Sequence, residues 1–445
     1  MNKIITLIVL ILSFQFTKAQ WSELGGSNSL TQSIFGYIFA LCSDSSGNIY
    51  AAGYFTDSSG YQYVAKWDGS TWTELGGVGG LTANYTILTM CSDASGNIYA
   101  AGGFYNSNFH TYVAKWDGNS WSELGGFDGL AGSNYIRCIC MDGLGNLYAC
   151  GDFLNESGNY YVAKWDGISW SELGGVNAFA ANEIIYAVSC DANNNVYAAG
   201  AFTNSAGSEY VAKWNGSTWS EVGNLAANSL ILKLYITPSG NIYAAGDFTN
   251  VNQQLYVAKW DGTSWSEVGG INGIAANSPI IDLCSDAAGN IYAAGNFTNT
   301  SGKQYVAKWD GTAWSELGGA NSLAANYTIR SILSSSSGNF YAAGIFTNAS
   351  DNPYVAKYTS PNTGLGQINV NATPKIFPDP CTSCEIIMKP APSTDLQVKD
   401  AAGRTIAARF EKNEQGYLIS IPDQSAGIYF VYNIKTGEVV KFIKE

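Results

Sequence analysis

Asn97-Ile98-Tyr99-Ala100-Ala101-Gly102 is followed, after a loop, by Tyr112-Val113-Ala114-Lys115-Trp116-Asp117-Gly118 and then by Trp121-Ser122-Glu123-Leu124-Gly125-Gly126. Each phrase is short, rich in aromatic and β-branched residues and bounded by glycine or asparagine, as strands are. The stretch reads as four strands: 87–91, 97–104, 112–116 and 120–124. Ser92-Asp93-Ala94-Ser95-Gly96 turns the first strand into the second. Asp117-Gly118 supplies the positive φ that a tight hairpin needs. In the third strand Tyr112, Ala114 and Trp116 share one face, with Val113 and Lys115 on the other.

The pattern recurs along most of the chain. The tyrosine opening the second phrase stands at 63, 112, 161, 210, 256, 305 and 354, at spacings of 49, 49, 49, 46, 49 and 49 residues. The tyrosine of the first phrase stands at 50, 99, 148, 197, 243, 292 and 341, and the tryptophan of the third at 21, 72, 121, 170, 219, 265 and 314. Length varies only between the third phrase and the next first phrase. Rigid blocks joined by one tolerant connection are the signature of stacked supersecondary units, and four strands per repeat point to propeller blades. The expected fold is therefore all-β: a seven-bladed β-propeller over residues 20–359, followed by a small β-sandwich. The array begins at Trp21 with a fourth strand and ends at Tyr358 with a third. The N-terminal strand is thus expected to complete the seventh blade and close the ring, removing an open sheet edge.

The array resembles bacterial propeller repeats that read Gly-Asn-Ile-Tyr-Ala-Ala-Gly, Tyr-Val-Ala-Lys-Trp-Asp-Gly and Trp-Ser-Glu-Leu-Gly in succession. That resemblance covers 21–358 and implies a fold rather than an activity. Residues 1–19 read as a signal peptide, with Lys3 as the positive region, an apolar core and Thr17-Lys18-Ala19 before the cut. Residues 360–370 read as a linker. The tail, 371–445, resembles the C-terminal sorting domain of the type IX secretion system of Bacteroidota. The matching pieces are Ile376-Phe377-Pro378-Asp379-Pro380, Leu396-Gln397-Val398-Lys399-Asp400-Ala401-Ala402-Gly403-Arg404, Gly427-Ile428-Tyr429-Phe430-Val431 and Lys441-Phe442-Ile443-Lys444. Asp379 departs from the asparagine usual between those prolines. The resemblance implies recognition by the type IX machinery, export across the outer membrane and a secreted or surface-held protein.

The net charge is −13, and it is unevenly spread: 20–370 carries 26 acidic and 11 basic residues, while 371–445 carries nine of each. No basic stripe suits a phosphate backbone, so nucleic acid is not an expected partner. No segment after the leader is apolar for the roughly 20 residues a membrane helix needs. A monomer is expected.

Catalytic chemistry finds little material. His110 is the one histidine, so histidine-based triads and zinc sites lack their parts. Glu74, Glu123, Glu172, Glu221, Glu267 and Glu316 occupy equivalent positions, which argues for structure, because an active site needs a unique arrangement. Cys42, Cys91, Cys140 and Cys284 fall where other copies hold Ser189, Tyr235 and Leu333, so they read as buried thiols. Cys138, Cys150 and Cys190 read as isolated variants. Cys381 and Cys384 suggest a local disulfide in an exported domain. The turns at Asp93 and Asp286 bear a faint likeness to calcium loops but lack the distal glutamate. No metal, cofactor or catalytic residue is assigned.

Binding is the better reading. Asp57, Asn106, Asn155, Asn204, Asn250, Asn299 and Asn348 form a ring of equivalent loop positions, expected on the loop-rich face around the channel mouth. Three residues earlier the copies disagree: Tyr54, Gly103, Asp152, Ala201, Asp247, Asn296 and Ile345. Varied positions on one rim are candidates for recognition, and Tyr61, Phe109 and Tyr160 are candidates to stack on sugars or pack on a protein. The expected function is a surface binding propeller for a glycan or protein ligand. The alternatives are a polysaccharide lyase or hydrolase using carboxylates and tyrosines near the channel, and a purely structural surface protein.

Overall fold

The computed structural model describes residues 20–26, 30, 36–335, 338–359, 376–377, 384–386, 396–400, 404–412, 417–421, 427–433 and 439–444. The expected signal peptide, the linker, Cys381 and the side chain of Cys384 lie outside the described residues. Two compact units emerge, one within 19–360 and one within 361–445.

Among the described residues the first unit contains seven four-stranded antiparallel sheets, six of them ordered first to fourth along the chain. In the second of them the strands are Ile87–Ser92, Ile98–Gly102, Ala114–Trp116 and Trp121–Glu123. Ile98–Gly102 is buried at every residue, and the equivalent strands behave alike. Alternation would leave one face wet. Here both faces are covered by neighbouring sheets, so the strand reads as a continuous apolar run. Ala100 and Ala101 keep the sheets close. Tyr112, Ala114 and Trp116 pack on the first sheet with Ala52 and Val64, while Val113 lies with Tyr99 against the third.

The recurring aromatics have assigned tasks. Phe104, with no exposed surface, meets the edge of Tyr112 at 4.9 Å, a T-shaped pair found in all seven sheets. Burying such a ring contributes about 1.5–3 kcal/mol. Lys115 lies across the ladder from Tyr99, its ammonium 5.7 Å from the ring centre. The glycine closing Asn-Ile-Tyr-Ala-Ala-Gly is required by close approach: a Cβ on Gly102 would stand 2.1 Å from the Thr86 carbonyl oxygen. That contact arises at a bulge between Ile87 and Thr89, repeated in the other first strands. The second strand spans Ile98–Gly102, shorter than the expected 97–104.

Asp93 organises the first turn. One of its carboxylate oxygens accepts the Ser95 and Asn97 amides at 2.9 Å each. The other accepts the Asn97 side-chain amide at 2.6 Å and the Tyr99 hydroxyl at 3.1 Å. Burial acts to raise its pKa, but these hydrogen bonds overcome it and hold the group below the usual carboxylate range. Both oxygens are occupied by the turn itself, as a hairpin reading of this segment requires.

The seventh sheet takes its fourth strand from the start of the chain. Gln20–Glu23 pairs with Ala356–Thr359, setting Trp21 opposite Tyr358 and Glu23 opposite Ala356. This is the register of Trp121 opposite Trp116 and Glu123 opposite Ala114. A second bond system links consecutive sheets: Trp121 Nε1 donates to the Leu75 carbonyl at 2.9 Å, Trp72 to Leu24 at 3.1 Å and Trp21 to Leu317 at 3.2 Å. Every fourth-strand tryptophan makes this bond.

The second unit holds two four-stranded antiparallel sheets among its described residues. Leu396–Asp400 pairs with Gly427–Asn433, and Leu396, Val398, Tyr429 and Val431 are buried in the alternating pattern of one covered face.

Candidate functional site

The first strands surround a cavity of about 520 Å³ lined by residues of all seven sheets. Each of these strands carries a constant, fully buried isoleucine: Ile38, Ile87, Ile136, Ile185, Ile231, Ile280 and Ile329. The residue after it is of five kinds among the seven copies: Phe39, Leu88, Arg137, Tyr186, Leu232, Ile281 and Arg330. The next also varies: Ala40, Thr89, Cys138, Ala187, Lys233, Asp282 and Ser331. The bulge adds a residue at this point, so consecutive side chains present themselves to the cavity instead of alternate ones.

Three cations line the space. Arg137 donates from Nε and Nη2 to the two oxygens of Asp152, at 2.7 Å each, between the rings of Tyr135 (5.3 Å) and Tyr186 (5.5 Å). The hydrogen bond to Asp152, opposed by burial, raises its pKa further. Lys233 Nζ lies 2.7 Å from Asp282. Burial works against the ammonium, yet the Asp282 carboxylate and the Cys138 sulfur overcome it and raise the Lys233 pKa. Arg330 lies over Phe39 at 5.5 Å, and its Nε is enclosed without a hydrogen-bond partner.

Several cavity side chains also join the sheets. The first strand is an inner edge with free backbone groups, and the next sheet's strand is capped across it. Thr89 Oγ1 accepts the Ile139 amide at 3.2 Å, Asp282 that of Ile332 at 2.7 Å and Ser331 Oγ that of Leu41 at 3.1 Å. The thiols correct the sequence reading. Cys138 stands opposite Cys150 in the ladder and Cys140 Sγ lies 3.2 Å from Cys190 Sγ, so Cys138, Cys150 and Cys190 each have a thiol neighbour. All are free thiols, and Cys91 and Cys140, expected to be buried, are only partly so. The hydrogen bond from Cys150 lowers the Cys138 pKa, while burial raises that of Cys150.

Tyrosines gather at the mouth. Tyr37 stacks with Tyr54 at 6.4 Å and tilts against Phe39 at 6.1 Å; Tyr85 meets Tyr135 edge-on at 5.9 Å. Gly103 is small because those last two rings fill its space: a Cβ there would lie 2.4 Å from Tyr135. Tyr37, Tyr54, Tyr85 and Tyr327 are each exposed.

The expected site residues divide into two groups. Tyr54, Asp152 and Asn296 reach the mouth, where Asn296 accepts the Thr328 hydroxyl, and Asp247 sits at the equivalent position with its amide on Leu230. The asparagine ring, expected around the mouth, is engaged at the outer strands instead. Asn106, Asn155, Asn204, Asn250, Asn299 and Asn348 accept amides of their own loops and donate to Glu123, Glu172, Glu221, Glu267, Glu316 and Glu23. The loop folds outward over the third and fourth strands, which fixes this placement. Asp57 breaks the pattern: it offers no donor to Glu74, and one of its oxygens is buried without a partner. Burial, then the Asp57 charge, raises the Glu74 pKa. Tyr61 and Phe109 are exposed on these loops, Phe109 beside Tyr105 at 5.6 Å, and Tyr160 donates its amide to Ala181. His110 pairs with Asp128 at 2.9 Å.

Sequence reasoning missed Arg137, Tyr186, Lys233, Asp282 and Arg330. Comparing the seven copies one and two places after the constant isoleucine would have found them.

No family model matches the sequence, and no curated protein does. Solved structures do. The chain is similar to the extracellular domain of what is described as the hybrid two-component system BT3049 of B. thetaiotaomicron: 10% identity, TM-score 0.53, covering 96% of this chain and 57% of that one. It is similar to the extracellular domain of what is described as the one-component system BT4673 of the same organism: 12% identity, TM-score 0.51, 95% and 53%. It is also similar to the WD40 β-propeller domain of Doa1: 13% identity, TM-score 0.51, 78% and 99%. The chain spans little more than half the length of the two B. thetaiotaomicron domains. These likenesses carry the fold, a β-propeller of four-stranded sheets. Among the described residues no helix is long and apolar enough to cross a membrane.

Proposed function

We propose that this chain is a secreted or surface-held binding propeller that takes a saccharide at the mouth of its central cavity. The observation that carries this reading is the arc of exposed tyrosines, with Phe39 and Tyr186 below it, around a cavity whose lining differs from copy to copy. Flat aromatic faces suit the apolar faces of sugar rings, and a concave site with a few placed polar groups suits a small ligand. A hydrolase or lyase has less support, since Asp152 and Asp282 are each held by a cation. On this reading the ring is closed by Gln20–Glu23, 1–19 is a signal peptide, and 371–445 is a β-sandwich sorting domain for type IX export.

The test is a glycan array with the full mature chain, followed by calorimetry on the hits. Tyr37→Ala with Tyr54→Ala should weaken a hit at least tenfold, while Phe109→Ala on the outer loops leaves it unchanged. Unaltered affinity in the double variant, or turnover of a polysaccharide by the purified chain, overturns the reading. Deleting 371–445 should abolish surface display; display that persists removes the sorting role.

A further inference from the structure

We infer that Arg330 is the anchor for an anionic group, so that the saccharide taken by the cavity is an acidic one. This rests on the saccharide-binding reading above and names its substrate class.

The molecule contains its own control. The third and seventh sheets carry arginine at the same first-strand position, Arg137 and Arg330. In the third, the rim position after the second strand is Asp152, which receives both Nε and Nη2 of Arg137. In the seventh, that rim position is Ile345, which has no acceptor to offer. Arg330 accordingly makes no hydrogen bond or ion pair among the described residues, and its Nε is enclosed and unpartnered. A guanidinium keeps its charge throughout the physiological range and presents a planar fork that fits two oxygens of a carboxylate or sulfate. The Nε is enclosed, so a two-oxygen anion in the cavity would pair with the terminal Nη atoms of Arg330, end-on, where Asp152 takes Nε and Nη2 of Arg137.

Two further observations agree. Arg330 is not demanded by packing, because Phe39, Leu88, Leu232 and Ile281 fill the equivalent position with apolar side chains. The charge balance is also local. Of the cavity cations, Arg137 is balanced by Asp152 and Lys233 by Asp282, which leaves the charge of Arg330 in excess, within a chain of net charge −13. A concave site focuses such a field, so an anion is drawn to the cavity while the outer surface repels it. Anchoring at Arg330 sets a sugar ring beside Phe39, 5.5 Å from the guanidinium, and next to Tyr37.

Calorimetry on the full mature chain at low salt would compare trigalacturonate, its neutral methyl ester, and a sulfated trisaccharide. The acidic probes should bind about tenfold to hundredfold tighter than the ester, the span expected of one charge-assisted bidentate contact. The stronger of the two acidic probes identifies carboxylate or sulfate as the source. Arg330→Gln should erase the preference and leave ester binding in place. Ile345→Asp, which supplies Arg330 with the partner that Arg137 has, should do the same with the cation retained. Equal affinity for acid and ester overturns the inference and spares the saccharide reading. Acid preference that survives both variants also overturns it, by placing the anion elsewhere. Binding of no probe, neutral or acidic, overturns both.

Discussion

In every blade two neighbouring strands share a hydrogen-bonded ladder yet differ in kind. The second strand is buried at each residue and nearly invariant between copies, as in Ile98–Gly102 and Ile291–Gly295. The first strand keeps its leading isoleucine and then changes, from Phe39 to Arg137 to Asp282. The second strand touches protein on both sides, so the same solution serves seven times. The first strand touches protein on one edge and the cavity on the other, and the cavity is single. On the proposed reading, selectivity must break the sevenfold symmetry, and the first strands are one place where it breaks.

The comparison can be pressed by substitution. Phe104→Ala, in the repeated core, should cost about 3–5 kcal/mol, seen as a lowered midpoint in urea unfolding with the slope unchanged. A loss under 1 kcal/mol would mean that the T-shaped pairs matter less than their burial suggests. Trp21→Phe and Trp121→Phe each remove one indole bond between blades and should each cost about 0.5–1.5 kcal/mol. If the N-terminal strand does the work of any other fourth strand, the two losses agree; a negligible loss for Trp21 alone would set that strand apart.

Asp57→Asn restores the asparagine–glutamate bond present in six blades and should raise stability by about 0.5–1 kcal/mol at neutral pH. The sign follows from Glu74, whose folded pKa is raised. Its charged form is disfavoured in the fold, so the penalty is absent below the ordinary glutamate range and grows as pH rises through the raised value. Thermal unfolding at pH 4 and pH 7 should therefore show the gain at the higher pH only, and a gain of equal size at both would refute this account. The smallest effect belongs to Arg330→Gln, within about 0.5 kcal/mol of the parent. A large loss there would make Arg330 part of the scaffold.

How much of this was legible beforehand differs between the same two strands. The four-strand blade, the hairpin turns and the seven copies could be read from Tyr50, Tyr63 and Trp72 and their equivalents, because local patterns encode local ladders. The loop asparagines were expected near the mouth because their place after the second strand does not show which way the loop folds. Only the contact of Asn106 with Glu123 shows them tied to the outer strands. Arg137 and Arg330 were obscured by the bulge after the isoleucine. An alternating strand would have turned one of each adjacent pair away, and nothing in the sequence marks the extra residue. The nearness of Cys140 to Cys190 depends on how neighbouring blades stagger, which a repeat of fixed spacing does not specify.

The bond from Trp21 to Leu317 spans 296 positions. A ribosome delivers the first strand at the outset and its partners, Ala356–Thr359, near the end of the propeller sequence. Until Ala356–Thr359 emerges, Gln20–Glu23 has nowhere to dock, and the seventh blade stays incomplete. Contacts of this separation are slow to form, so the propeller carries a built-in delay: its seventh sheet cannot be completed until the last of its strands has been made.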